Sequence, residues 1–159
     1  MQQIKNNPYR VIGLLVGSNA PQQVRQINRL IQSIDAEVEP DEDFSFPVIG
    51  KLNRTTDLVN TAVANIHLET GKINAALFWF YQGNEIEDDA AFDVLKGENG
   101  DKEEAQKIWL SAVKGKEITK RNASCFHNLS TLLLSNAFKG NKIFEDAITL
   151  KLKFLESDF

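Results

Sequence analysis

The stretch Asn7-Pro8-Tyr9-Arg10-Val11-Ile12-Gly13-Leu14 is a short aromatic and apolar turn closed by glycine, and its meaning depends on the helices downstream of it. Positions 21–34 place Val24, Ile27, Leu30, Ile31 and Ile34 on one face at helical spacing, with Ser18 or Asn19 placed to cap and Pro21 in the first turn. A second periodic stretch begins at Thr55-Thr56-Asp57, which are good capping residues, and carries Leu58, Val59, Ala62, Val63 and Ile66 on one stripe. The two helices are expected to pack antiparallel, because burying roughly ten apolar side chains at about 1.5–3 kcal/mol each would hold such a hairpin together. After Glu69-Thr70-Gly71-Lys72, positions 73–81 are apolar on nearly every side, which predicts a short helix wedged between two bodies.

The opening motif, this helix pattern and the Gly71-Lys72…Ala75 turn into a last helix resemble a J domain over about residues 6 to 81. J domains work through a His-Pro-Asp loop between two helices and present a basic helix to the acidic surface of a DnaK-type chaperone. The corresponding loop here is Glu39-Pro40-Asp41, in which a carboxylate replaces the imidazole. The matching helix has only Arg25 and Arg29, and Asp35, Glu37, Glu39, Asp41, Glu42 and Asp43 come directly after it. Like charges brought together at a docking face oppose binding. The resemblance thus implies the fold of a degenerate J domain without its usual activity. Between the helices lie Phe44, Phe46, Pro47, Val48 and Ile49, which either tuck onto the hairpin core or stand out as a partner anchor. A calcium loop from Asp35 fails, with Pro40 at its sixth position and Phe46 at its twelfth.

From Ala90 the pattern changes to short helices separated by Gly and Asn. Gly100-Asp101-Lys102-Glu103-Glu104-Ala105, with Trp109 and Ala112, resembles the second helix of a tetratricopeptide repeat, where small residues at i and i+7 let a neighbour approach and an aromatic at i+4 fills the gap. Its first helix would run from Asp88 to Lys96 with Ala91, Phe92 and Leu95 inward. A second copy comes next in Cys125-Phe126-His127-Asn128-Leu129-Ser130…Leu133, with Phe144, Ala147 and Ile148 on its partner helix. The resemblance places Asn128 on a groove-facing helix, where its amide could bond a peptide backbone. Lys114, Lys116, Lys120 and Arg121 form the basic patch that could clamp a carboxylate of a bound peptide, or serve solubility alone. Two helix pairs fall below the ~3 usually needed for a solenoid. The last stripe, Ile143, Ala147, Leu150 and Phe154, broadened by Ile148, Leu152 and Leu155, wants cover. A homodimer or a longer repeat array would supply it, as would folding back on the segment around Trp79.

Composition narrows the function classes. With 18 basic against 22 acidic side chains and a net charge of -4, the chain lacks the field that a nucleic acid or an anionic membrane surface requires. The longest apolar run, positions 75–81, is far short of a spanning helix, which excludes a membrane-crossing segment. One cysteine, Cys125, allows no internal disulfide, and Met1-Gln2-Gln3-Ile4-Lys5 lacks the apolar run of a signal peptide, so a reducing cytoplasm is expected. His67 and His127 are the only histidines and neither has a Cys or His at ligand spacing, so no metal is expected. His127 and Cys125 lie two apart on a helix and point different ways, which removes a nucleophile and base pair. The clusters Asp35 to Asp43 and Glu85, Glu87, Asp88, Asp89 are expected to be solvated, the second also complementing a helix N-terminus.

The sequence thus predicts an all-α, two-part protein: a J-like antiparallel hairpin at 1–82 packed on tetratricopeptide-like helix pairs at 83–159. It is expected to be no enzyme and to need no cofactor, and to act as a scaffold or adaptor for a protein or peptide partner. The competing reading is a co-chaperone that uses Glu39-Pro40-Asp41 with a DnaK-type chaperone.

Overall fold

The computed structural model describes residues 1–38, 40, 44–97, 99–136 and 141–159. Among them the regular structure is helical: α1 (Gln2–Lys5), α2 (Pro8–Ile12), α3 (Ala20–Asp35), a 3-10 turn (Pro47–Ile49), α4 (Thr56–His67), α5 (Glu69–Leu77), α6 (Glu87–Leu95), α7 (Lys102–Val113), α8 (Ala123–Asn136) and α9 (Lys142–Leu155). A single isolated bridge joins Val16 to Tyr81. The all-α class read from the sequence stands. No described helix is long and apolar enough to cross a membrane.

Side-chain caps explain most of the boundaries. Asn7 accepts from the Tyr9 amide at the start of α2, Pro8 supplies the first turn, and Gly13 closes the helix at a φ of 77°. Asn19 and Gln22 form a reciprocal capping box on α3, which fixes Asn19 as the cap. The side chains of Thr55, Asp101 and Asn141 accept from the Leu58, Glu104 and Phe144 amides at the starts of α4, α7 and α9.

Two expectations about the first part need correction. Helix α4 packs chiefly on the short α2 and on α5, and only lightly on α3. The reason is visible in the burial. Tyr9, Val11 and Ile12 of α2 are fully covered, whereas α3 buries only Gln26 and Leu30 and leaves Val24 59% exposed. Positions 73–81 are likewise not one helix. The chain leaves α5 at Leu77 and continues extended, so that the Val16 amide donates to Phe80 O at 2.9 Å. Trp79 and Phe80 are fully buried there, and the Trp79 indole donates to Leu14 O at 2.8 Å.

In the second part each helix packs on its neighbour in sequence, α6 on α7, α7 on α8 and α8 on α9. Ala105, Trp109 and Ala112 of α7 are all buried, as their spacing predicts. Helix α8 is covered on nearly every side. Of the last stripe only Ala147 is fully covered; Leu150 and Phe154 are half-buried, and Ile143, Leu152 and Leu155 are exposed. The buried apolar side chains form one cluster that continues across residue 82. At its centre Phe46, Trp79, Phe80, Phe92 and Trp109 meet ring to ring, with centroids 5.1–6.1 Å apart.

The loop after α3 is fastened by a buried cation. Arg10 donates to Ser45 O at 2.8 Å, to Lys5 O at 2.7 Å and to Gly50 O, joining α1, α2 and both sides of the 3-10 turn. Arg54 in turn donates to Val11 O at 2.8 Å and Arg10 O at 3.2 Å, at the carboxyl end of α2. Replacing Arg10 by Ala leaves three carbonyls without their donor, and should lower the unfolding free energy by about 3–5 kcal/mol. Arg10→Lys should recover less than half of that, since an ammonium cannot reproduce the planar fork. Urea titrations with unchanged slope would show both effects as shifts in midpoint.

Candidate functional site

A cleft of about 550 Å³ lies between α3 and the segment Gly13 to Ser18. Gly13 and Gly17 take positive φ values of 77° and 87°, which turns Leu14, Leu15 and Val16 into one wall. Helix α3 presents Gln22, Arg25, Gln26 and Arg29 to the other side, because residues three and four apart share a face. Gln26 is buried and donates to Ile12 O at 3.2 Å, which holds the helix to the segment. Phe44, Tyr81, Gln82 and Lys96 complete the lining. The Lys96 ammonium lies 4.7 Å from the centre of the Phe44 ring and 3.3 Å from Asp93. Every charged side chain among the described lining residues is cationic, and none of them is His, Cys, Asp or Glu. Among the described lining residues the cleft therefore offers an apolar floor and a positive rim, with no carboxylate or imidazole to move a proton.

The residues singled out from the sequence are scattered by the fold. Phe44 is half-buried and lines this cleft. Phe46 is not an external anchor: it is fully buried, 5.7 Å from Phe92 and 5.3 Å from Phe80. Lys120 is exposed and does not line this cleft, while Arg121 and Lys116 line a second one of about 600 Å³ with Glu87 and Glu117, where the two signs of charge balance. Pro40 borders a third, of about 320 Å³, with Arg54 and Glu37. Glu39 and Asp41, the flanks of the J-like loop motif, lie outside the described residues.

Asn128 also needs correction, since it is fully buried rather than open to a groove. Its amide does bond a peptide backbone, but the backbone is the chain's own. Oδ1 accepts from the Tyr81 amide at 3.1 Å and Nδ2 donates to Tyr81 O at 2.8 Å. The same Nδ2 donates to Asp88 Oδ1 at 3.0 Å. Asp88, expected at a solvated helix start, is fully buried and accepts three further bonds: from the Trp109 indole at 2.8 Å, the Gly83 amide at 3.0 Å and the Asn84 amide at 2.8 Å. These four donors match the capacity of one carboxylate. A Cβ added to Gly83 would come within 2.8 Å of Ser124 Cβ, so this turn is pressed directly onto α8.

A second buried polar group joins α8 to α9. Lys151 is 6% exposed and its ammonium reaches Thr131 Oγ1 at 3.0 Å, His127 Nδ1 at 3.2 Å and His127 O at 3.3 Å. His127 Nε2 lies 2.7 Å from Trp79 O, a pure acceptor, which assigns the ring proton to Nε2 and leaves Nδ1 to accept from Lys151. Burial pulls the Lys151 amine down to about 7. Burial, reinforced by the Lys151 charge, pulls His127 down to about 3. A neutral lysine is a nucleophile in principle. Lys151 lines none of these three clefts, and its ammonium contacts are all to α8. Cys125 is buried, and burial with the nearby Asp88 pushes its thiol up to about 12, the opposite of a reactive cysteine. Burial likewise raises Tyr81, and Asp88 adds to it. No group of three or more His, Cys, Asp or Glu that could hold a metal occurs among the described residues. Neither Asp88 nor Lys151 is marked by local pattern; both lie at polar positions on otherwise ordinary helices.

Asp88→Ala should destabilise the protein by about 3–5 kcal/mol, because it strands two backbone amides, an indole and an amide in the core, and denaturant titration would measure it. Lys151 makes stability depend on pH. Between about 7 and the ordinary 10.5 the unfolded chain binds a proton that the folded chain does not, so stability rises with pH across that interval. Between pH 7 and 9, below the ordinary 9.0 of Cys125, the gain from Lys151 should be about 2–3 kcal/mol, and the Met1 amine, lowered from 8.0 by burial, adds a slope of the same sign. Lys151→Met should remove the Lys151 share of this slope and leave the Met1 share in urea titrations at fixed ionic strength. His127 adds a slope of the same sign between 6.5 and about 3.

Compared with known protein families, with curated proteins and with solved structures, the chain matches no family model, no curated protein and no solved structure.

Proposed function

We propose that this protein is a non-catalytic, cytoplasmic interaction module, an adaptor or scaffold that receives a protein partner at the cleft beside α3. The observation that carries the reading is the division of labour between its polar groups. Lys151, His127 and Cys125, three strongly perturbed ionisable side chains, are in the interior of the second part, and the perturbed group that does line the cleft, Tyr81, is a phenol raised by burial and therefore neutral. The 550 Å³ cleft, in contrast, combines apolar wall and cationic rim without a titrating pair among its described lining residues. That combination suits recognition, which needs apolar contact and charge complementarity, rather than proton transfer.

The resemblances enter the proposal at the same level. The consecutive packing of α6 to α9 and the burial of Ala105, Trp109 and Ala112 support tetratricopeptide-like pairs in the second part. The capped α2, Gly13 and the helices α3 and α4 support a degenerate J-like first part, although the light contact between α3 and α4 is a departure from a helical hairpin.

The test is capture of partners on the immobilised full chain, with Arg25→Glu as control, since Arg25 is exposed on α3 and its reversal leaves the core intact. A partner retained by the unmodified chain and lost with Arg25→Glu is the expected outcome. In parallel, the unmodified chain should leave the ATPase rate of a DnaK-type chaperone unchanged. Stimulation would replace the adaptor reading by the co-chaperone one.

A further inference from the structure

We infer that the cleft beside α3 takes a short acidic peptide segment in which carboxylate side chains are interleaved with apolar or aromatic ones. The inference rests on the interaction-module reading and names the class of partner for the same site. Three features of the lining carry it. Leu14, Leu15, Val16, Phe44 and Tyr81 give the cleft an apolar base that would cover apolar side chains. Arg25 stands at the rim from α3, exposed, one turn before Arg29. Lys96 reaches the rim from the end of α6 and lies over the Phe44 ring, so a cation and an aromatic face are held together at one end of the cleft.

The geometry selects against other occupants. A cleft of about 550 Å³ falls in the ~300–1,000 Å³ range of sites for small ligands and short segments, and is too small to seat a long amphipathic helix. A nucleic acid or an anionic bilayer presents a continuous negative surface, which would meet the 22 acidic side chains of a chain with a net charge of -4. A short acidic segment would meet Arg25 and Lys96 at the described rim, competing with Asp93 for the Lys96 ammonium. Arg25 can take one carboxylate through two parallel N–H donors, and Lys96 can take a second as a point charge. An apolar residue between them would rest on Leu15 and Phe44. Charge pairs at an open rim contribute modestly and are screened by salt, so affinity should be in the micromolar range and should fall as ionic strength rises.

The experiment uses the full chain and two fluorescein-labelled probes, one alternating Asp and Glu with Phe and Leu, the other with every acid replaced by Lys. Fluorescence anisotropy gives affinity, and amide chemical shifts locate the contact. The expected result is saturable binding of the acidic probe alone, weakened at least 10-fold by Arg25→Glu and by Lys96→Glu, unchanged by Lys120→Glu, and mapped to residues 13–18 and 22–29. If the Lys probe binds the cleft and the acidic one does not, the acidic class is overturned while the interaction-module reading survives. Acidic binding that persists in Arg25→Glu and maps near Lys116 and Arg121 overturns the site. If neither probe binds, the inference fails, and a captured partner that still depends on Arg25 would show that the module reading does not fail with it. Circular dichroism of each variant separates lost binding from lost fold, and Arg25→Gln supplies a milder change that should weaken binding by less than Arg25→Glu does.

Discussion

Four hydrogen-bond donors converge on the buried carboxylate of Asp88, and the second part of the protein is arranged around that convergence. The donors come from a turn (Gly83 and Asn84), from α7 (Trp109) and from α8 (Asn128), while the carboxylate itself belongs to α6. Three helices and the entry to the first of them are thereby set at fixed distances from one another. Apolar packing alone would tolerate small slides between such helices, because dispersion contacts have little directional preference. A carboxylate with all of its acceptor sites occupied tolerates none, since any slide strands a donor in the core. The aromatic cluster of Phe46, Phe80, Phe92 and Trp109 is built against this frame, and the first part attaches through the same rings.

A second constraint acts through Arg10, which does for the loop after α3 what Asp88 does for the helix pairs. Both are buried charged side chains: Arg10 donates to the carbonyls of Ser45, Lys5 and Gly50, and Asp88 accepts from two backbone amides, an indole and a side-chain amide. Such groups are costly to bury and more costly to leave half-satisfied, so their value is geometric rather than a large net stabilisation. Lys151 shows the other solution to the same problem. With neutral acceptors from α8 around it, its amine sheds its proton near neutrality instead of holding a charge in the interior. Asp88, Arg10 and Lys151 thus bond within the fold, while Arg25 on α3 is exposed and the half-buried Lys96 pairs with Asp93 near the surface.

How much of this was legible in the sequence depends on the range of the signal. Helix starts were readable where a capping residue stands at the right offset, as at Asn19 and Thr55, and α7 was readable because Ala105, Trp109 and Ala112 repeat a face. Periodicity in α3 was real but overstated its burial, because α3 makes only light contact with α2 and with α4, which leaves Val24 exposed. The acidic run at the start of α6 reads as solvated by every local rule, and three of its four members are not fully buried; Asp88 is, for reasons that lie 21 and 40 positions away at Trp109 and Asn128. The same holds for Lys151, whose partners lie 20 and 24 positions earlier. Asn128 is the most instructive case: the chemistry expected of its amide was right and the ligand was wrong, because no local pattern announces that the chain's own extended segment will fill the place of a foreign peptide.

That internal segment has a consequence for synthesis. The Tyr81 backbone is clasped by a side chain 47 positions later, so Trp79, Phe80 and Tyr81 leave the ribosome well before α8 exists to cover them. At roughly 5–20 residues per second the interval is about 2–9 s, long compared with the microseconds in which a helix forms. During it Phe46 and Leu14 are already present to meet Trp79 and Phe80, but the α8 side of the strip is missing. The Asn128 amide therefore fastens a segment that was made well before it.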